Sequence, residues 1–257
     1  MRHIKTCLRY PGGKFYGFKV LEPFLGVPHN EFREVFVGGA SIFLGKEKSK
    51  INWINDIDKE LINFYKVISD EDNKKMLYGL LNNEEASKKR HTEVLNMEVE
   101  NDIKNAFKYF YLNRTSFSGI MNKPRWGYAI GSSVTPDKWI RLIEPVSEKM
   151  KDISITSLDF RNVIEKESKY DVLLYLDPPY LKASKSIYKN EFRPKDHQDL
   201  RALLEKTKFK FILSYEDSSE VREMYGWANI HETNFTYFMS EARRQNGREL
   251  IITNFKI

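Results

Sequence analysis

Val172-Leu173-Leu174-Tyr175-Leu176-Asp177-Pro178-Pro179-Tyr180 decides how this chain is read. Five apolar residues without a charge, closed by two prolines, describe a strand buried on both faces. Such strands belong to parallel sheets covered by helices, and open sheets of that kind bind ligands where their strands end. Asp177 to Tyr180 therefore falls at a carboxyl edge. Pro178 and Pro179 fix φ and lack an N–H, so the backbone there offers carbonyl oxygens without competing donors. Asp177, when ionised, is a further acceptor. Asp177 and the Pro178 carbonyl can together hold both hydrogens of an exocyclic amine. They would orient its lone pair and stabilise positive charge as it develops on nitrogen. Tyr180 supplies a ring on which an extruded base can stack. A polyproline-like turn with an incidental aromatic is the purely structural alternative.

Working outward, β-rich runs alternate with helical patterns. Glu34 to Val37 reads as a strand ended by Gly38-Gly39, and Ala40 to Glu47 as the helix that follows. Ile51 to Ile54 reads as a second strand, closed by Asn55-Asp56. Lys59 to Ile68 places Leu61, Ile62, Tyr65 and Ile68 on one helical face. From Asp72 to Tyr111 the chain is polar and helix-prone. Asn113 to Pro136 reads as loops rich in Gly, Ser, Thr and Arg, and Asp137 to Met150 as helix. Strand signals return at Ile153 to Ser157, Val172 to Leu176 and Phe209 to Leu213, the last preceded by helix from His197 to Lys206. Arg248 to Phe255 reads as a final strand, paired antiparallel with Ile230 to Tyr237. The expected class is α/β: a largely parallel sheet with helices on both faces. Residues 72–150 would be an insert between the two parts of a sheet domain, 1–71 and 151–257.

The glycines of Phe36-Val37-Gly38-Gly39 allow a tight turn and close approach of backbone to a ligand. Asp56 ends the next strand and can accept hydrogen bonds from ribose hydroxyls; capping of the helix beginning near Asp58 is the alternative. These features suit a nucleoside cofactor without separating S-adenosylmethionine from NAD, although the absence of G-x-G-x-x-G counts against a dinucleotide. Arg9-Tyr10-Pro11-Gly12-Gly13-Lys14 is a rigid turn with backbone donors and a cation, able to bind a carboxylate or simply to close a terminus. Asp159-Phe160 offers an acceptor and an apolar contact to an adenine ring, or a helix cap.

The chain has 257 residues, a net charge of +6 and 41% hydrophobic residues. That suffices for one large domain or a core domain with an insert. The basic balance fits an anionic partner without identifying one. No apolar run is long enough to span a membrane, and no secretion signal is legible. One cysteine, Cys7, excludes an intramolecular disulfide and any multi-cysteine metal site, and no metal is expected. A reducing cytoplasm is the simplest setting.

Taken together, Tyr10 to Lys14, Phe36 to Ser41, Asn55-Asp56-Ile57, Asp159-Phe160, Asp177 to Tyr180, Phe211 to Tyr215 and Glu249 to Asn254 resemble, in that order, the adenine-N6 DNA methyltransferases of the Dam type, or D12 class. Asn113-Arg114-Thr115-Ser116-Phe117-Ser118-Gly119 is similar to a segment of that family's target-recognition region. The resemblance implies a Rossmann-like methyltransferase sheet, S-adenosylmethionine as cofactor, and a flipped adenine in double-stranded DNA. It implies a cofactor pocket of Tyr10, Gly12, Gly13, Lys14, Phe36, Gly38, Gly39, Ala40, Ser41, Asp56, Ile57, Asp159, Phe160 and Asp177, with Asp177, Pro178, Pro179 and Tyr180 at the target base. Residues 72–150 would recognise DNA, and Leu181 to Phe192 would be a mobile loop that orders around the base. A nucleoid-associated enzyme with a cognate restriction endonuclease fits the same picture.

Candidate DNA contacts are Arg114, Ser116, Lys123, Arg125, Trp126 and Tyr128, with Lys185, Tyr188, Arg243 and Arg244 beyond them. Arginine reads guanine in the major groove, and an aromatic ring can wedge into the stack; a packed Trp126 beside a surface Arg125 is the alternative. Asn122 to Pro136 departs from the GATC-specific members, so the target sequence stays open. Cytosine N4, an RNA adenine, or DNA binding without catalysis are the competing functions.

Overall fold

The computed structural model describes residues 3–10, 12–14, 17–181, 190–240 and 243–257, with the backbone alone for 234–240 and 243–247. Among them, seven strands form one sheet: β1 (Glu31–Glu34), β2 (Ile51–Asn55), β3 (Ser154–Thr156), β4 (Val172–Leu176), β5 (Lys210–Glu216), β6 (Asn229–Ser240) and β7 (Arg243–Thr253). Their order is β3-β2-β1-β4-β5-β7-β6. β1 to β5 are parallel, and β7 enters antiparallel between β5 and β6. The helices are α1 (Phe18–Leu25), α2 (Ser41–Gly45), α3 (Lys59–Ser69), α4 (Glu71–Leu81), α5 (Lys88–Leu95), α6 (Asp102–Thr115), α7 (Trp139–Met150), α8 (Phe160–Glu165), α9 (Pro194–Lys206) and α10 (Ser219–Met224). The α/β class expected from the alternation is the one observed.

The central strand β4 feeds two cores because successive side chains point to opposite faces. Leu173 and Tyr175 of β4 join the cluster under α1 to α4, α6 and α7. Val172, Leu174 and Leu176 join the cluster under α8, α9 and α10. All five are buried, as an uncharged run requires.

β1 departs from expectation. It spans Glu31–Glu34, so only Glu34 of the expected strand belongs to it, and Val35 to Gly39 form the loop beyond. Three of its four residues are charged, which hid it from a reading based on apolar runs. Arg33 is buried because its charge is fully partnered: Nε donates to Glu31 at 2.6 Å, and Nη1 to the carbonyls of Val163 and Lys166 at 2.8 and 2.7 Å. The Trp53 and Phe209 rings also lie about it, 5.1 and 5.0 Å from Cζ.

The segment 72–150 is less separate than its composition implies. Phe107, Tyr109, Phe110, Tyr111 and Leu112 of α6 are all buried. Phe110 stacks on Phe64 of α3 at 5.4 Å, and Trp139 of α7 meets Phe110 edge-on at 5.7 Å. These helices share one apolar cluster with the sheet. α6 also runs on to Thr115, into the expected loop. Beyond it, Ser116 pairs antiparallel with Trp126, and Phe117 N–H donates to the Arg125 carbonyl at 2.8 Å.

Asn113 ties this segment to the amino-terminal strip. Its Oδ1 accepts from Arg9 N–H at 2.8 Å, while Nδ2 donates to the carbonyls of Arg9 and Gly119 at 2.9 and 3.2 Å. The amide is fully buried. Asn113→Ala should leave buried backbone groups unpaired and cost about 2–4 kcal/mol, the range for losing several buried hydrogen bonds. Urea unfolding of the variant beside wild type measures it.

Candidate active site

β1 and β4 are neighbours, in register at Glu34 and Tyr175, yet the chain leaves them on opposite sides: β2 and β3 beyond one, β5 beyond the other. This is a topological switch point, where the loops after the two strands diverge and open a crevice. Val35–Gly39 and Asp177–Tyr180 are those loops. Asn55 holds the first in place: Nδ2 donates to the Val35 and Leu158 carbonyls at 3.1 and 3.0 Å, and Oδ1 accepts from Thr156 Oγ1 and Leu158 N–H.

At the crevice floor, Lys14 Nζ lies 3.0 Å from both oxygens of Asp177 and 2.8 Å from the Tyr180 hydroxyl. It also pairs with Glu249 Oε1 of β7 at 3.3 Å. Tyr180 donates to the same Glu249 oxygen, and its hydroxyl lies 3.3 Å from Asp177 Oδ1. Burial alone would lower the Lys14 pKa, but Asp177 and Glu249 outweigh it and hold the ammonium above its ordinary range. The Tyr180 ring stacks on Tyr215 at 5.7 Å. Acceptor, cation and aromatic plane thus meet at one edge.

Most expected pocket residues line this crevice: Tyr10, Gly12, Gly13 and Lys14; Phe36, Gly38, Gly39 and Ser41; Asp56 and Ile57; and Asp177, Pro179 and Tyr180. The Gly38-Gly39 turn is shaped by contact. A Cβ on Gly38 would lie 2.7 Å from the Tyr10 ring, and one on Gly39 2.9 Å from Tyr10 Cβ. Gly38 has φ of 43° and Ala40 φ of 58°. Asp56 pins this turn, accepting Gly38 N–H at 2.9 Å and Asp58 N–H at 3.0 Å. The helix cap is Asp58 instead, which accepts from Glu60 and Leu61 N–H. Burial raises the Asp56 carboxyl to about 6, against the two hydrogen bonds that favour its ionised form.

Four expected residues stand back from the crevice. Pro178 and Ala40 are buried and contribute no lining. Asp159 caps α8, accepting Arg161 N–H at 2.9 Å, and pairs with the Arg161 guanidinium. Phe160 lies behind the wall, 5.7 Å from Phe36 and 5.4 Å from Phe192. Phe192, the end of the loop expected to order around the base, lines the crevice, and so do Glu34, Tyr109 and Met121, which were given no role. Nothing in their local sequence marks them, since each arrives from a different element. Glu249 was noticed within a motif but given no role.

The expected DNA contacts divide by burial. Arg114 and Ser116 are buried, with Arg114 Nη1 on the Cys7 carbonyl at 3.4 Å, so they support the backbone and present no surface to a duplex. Trp126 is half-buried against His91 at 5.7 Å and Tyr128 at 5.8 Å. Lys123 and Arg125 are exposed. The exposed ring of this turn is Phe117, at 65%. Most of the loop expected to order around the base, residues 182–189 with Lys185 and Tyr188, lies outside the described residues, as do the side chains of Arg243 and Arg244. Among the described residues no cluster of three or more His, Cys, Asp or Glu could hold a metal ion, and no helix is long and apolar enough to cross a membrane.

An α/β sheet with an antiparallel β7 and an Asp-Pro-Pro-Tyr turn at its switch point defines a methyltransferase. A family model, D12 class N6 adenine-specific DNA methyltransferase, matches residues 10–239, and the chain belongs to that family. It is 28% identical to the type II methyltransferase M1.LlaDCHI of Lactococcus lactis subsp. cremoris, over 98% of this chain and 96% of that protein. It is 24% identical to the type II methyltransferase M.CviBI of Paramecium bursaria Chlorella virus NC1A, over 98% and 100%. Identity to the DNA N-6-adenine-methyltransferase of Escherichia phage P1 is 26%, over 93% of this chain but 33% of the phage protein.

Lys14→Met should leave buried Glu249 and half-buried Asp177 without their cation. The expected loss is about 3–5 kcal/mol at pH 8, as for breaking a buried ion pair. It should shrink at pH 5.5, where a stranded carboxyl takes up a proton. Urea unfolding at both pH values reads the difference.

Proposed function

We propose that this chain transfers a methyl group from S-adenosylmethionine to the N6 amine of an adenine flipped out of a specific double-stranded DNA sequence. The observation that carries the reading is Asp177 at the crevice floor, its oxygens held 3.0 Å from Lys14 and flanked by the stacking ring of Tyr180. A carboxylate has about four lone-pair sites, so Asp177 keeps capacity for an amine hydrogen beside Lys14. An incoming amine is thereby oriented and its developing charge offset.

The crevice fits the cofactor by its own chemistry. The Gly38-Gly39 turn lets the Tyr10 ring lie directly against the backbone, so all three line the crevice. Ser41 Oγ is buried with no hydrogen-bond partner among the described residues. Asp56 is the acceptor suited to ribose hydroxyls, and Phe36, Ile57 and Phe192 form apolar walls for a purine. When bound, the cofactor supplies an electrophilic methyl group. Asp159 and Phe160 would act behind this wall, through Phe192 and Phe36.

Residues 72–150 are the target-recognition region of this proposal, and 1–71 with 151–257 its catalytic part. Exposed Arg125 suits a guanine edge. Exposed Phe117, on the same turn, suits filling the gap an extruded base leaves. The names of two relatives, type II methyltransferases, favour a restriction–modification setting with a cognate endonuclease in the cytoplasm.

Asp177→Ala should cut methyl transfer at least about 100-fold, as removal of a transition-state contact does, while binding of S-adenosylmethionine by calorimetry persists. Mass spectrometry of digested DNA, scoring N6-methyladenine against N4-methylcytosine, reads it; a wild-type rate in the variant would refute the role. Cofactor affinity should also fall as pH drops from 7 to 5, because Asp56, titrating about 6, then loses its ionised form. Calorimetry across that range should show a flatter profile for Asp56→Asn.

A further inference from the structure

Glu249 is a buried carboxylate on β7. It is 2% exposed, and Lys14 already has Asp177 as a counter-ion. A second carboxylate, this one fully buried, adds several kcal/mol of desolvation. Its Oε1 accepts from Tyr180 and lies 3.3 Å from Lys14 Nζ. Its Oε2 is buried with no hydrogen-bond partner among the described residues. The groups facing it are Lys14 from the amino-terminal strip, Asp177 and Tyr180 beyond β4, Glu216 in register on β5, and Thr233 in register on β6. Burial, aided by the negative charge of Asp177 and opposed by Lys14, raises this carboxyl to about 7.

Three atoms are linked in sequence: Asp177 Oδ1, the Tyr180 hydroxyl 3.3 Å away, and Glu249 Oε1, to which that hydroxyl donates. A methylated amine must shed one proton, and the nearest acceptor is Asp177, which must be ionised again for the next turnover.

We propose that Glu249 takes up, through Tyr180, the proton that the methylated amine gives to Asp177. The inference rests on the reading of Asp177 as the amine's acceptor. The amine nitrogen, having used its lone pair to form the N–CH3 bond, carries two hydrogens and a positive charge. One proton passes to Asp177 Oδ1, and the N–H electron pair stays on nitrogen as its restored lone pair. Asp177 passes a proton to the Tyr180 oxygen as Tyr180 passes its own to Glu249 Oε1. Asp177 ends ionised, Tyr180 unchanged and Glu249 neutral. Once the product base leaves, the proton returns through Tyr180 to Asp177, which lines the open crevice, and passes from there to water. Lys14 keeps its protons and holds both carboxylates in place. Glu249 acts through Tyr180, so it is a positioning residue and not a catalytic one.

The test is Glu249→Gln in the full chain, which keeps shape and removes the proton acceptor. Single-turnover methylation of a DNA duplex should fall about 100-fold, the lower range for general base assistance, with duplex and S-adenosylmethionine affinities within about twofold. The wild-type rate should rise with pH through the neutral range as Glu249 ionises, and that limb should be missing in Glu249→Gln. A second readout needs no turnover. The folded protein holds the Glu249 proton to higher pH than the unfolded chain, so wild type should lose stability relative to Glu249→Gln as pH rises from about 4.5 to 7. Tyr180→Phe, which keeps the ring and breaks the link, should lose the same limb and serves if Glu249→Gln does not fold. A variant with the wild-type rate, or a slower one with an unchanged pH profile, overturns the proposal while the Asp177 reading stands. If Asp177→Ala methylates normally, it is the parent reading that has failed.

Discussion

One ammonium group, on Lys14, holds the centre of this protein together. It brings a carboxylate from the turn after β4 and another from β7 to within 3.0 and 3.3 Å of one nitrogen. Each such contact is worth on the order of 5 kcal/mol at an effective dielectric of about 20. Burying each ion costs several kcal/mol in return. Three desolvations set against two attractions leave little net stabilisation, so the cluster is better understood as a device for charge than for stability. With both carboxylates ionised it carries one net negative charge, which suits a reaction in which positive charge arrives and moves.

The rest of the fold serves to deliver those three groups. β1 and β4 lie side by side because the chain reverses its winding between them, and that reversal opens the crevice. Asn55 stitches the loop ends of β1 and β3 with four hydrogen bonds. Asn113 does the same between α6 and the strip that carries Lys14 towards the sheet. Both amides are buried with oxygen and nitrogen each hydrogen-bonded, which is how an interior tolerates them. Residues 72–150 are consequently wired to the amino-terminal strip: Arg9 contacts Asn113 and Ser116, and Lys14 follows five residues later.

The turn around Phe117 and Arg125 divides its labour by burial. Ser116 pairs with Trp126, and Trp126 rests on His91 of α5. Gly127 packs so closely that a Cβ would lie 2.3 Å from Phe117 Cα. The outward residues, Phe117 and Arg125, thereby stand on a rigid base. In the proposed function this rigidity matters, because a contact that must find one base edge loses less entropy from a fixed platform.

Sequence alone settled whatever depends on local pattern. The uncharged run of β4 fixed a buried strand and, with its prolines, the place of Asp177. The glycines, Asp56 and the helical face of α3 were legible because turns and amphipathic helices obey short-range rules. What remained hidden required partners distant in the chain. β1 could be a strand only because Arg33 finds Glu31, two carbonyls and two rings. α6 could be buried only because α3 and α7 cover it. Arg114 and Ser116 look like surface contacts in sequence and are interior in fact, while Phe117 beside them is exposed. Glu249 meets Lys14 across 235 positions of sequence, a distance no motif spans. A residue's type states what it can bond; only the folded chain decides what comes within 3 Å of it.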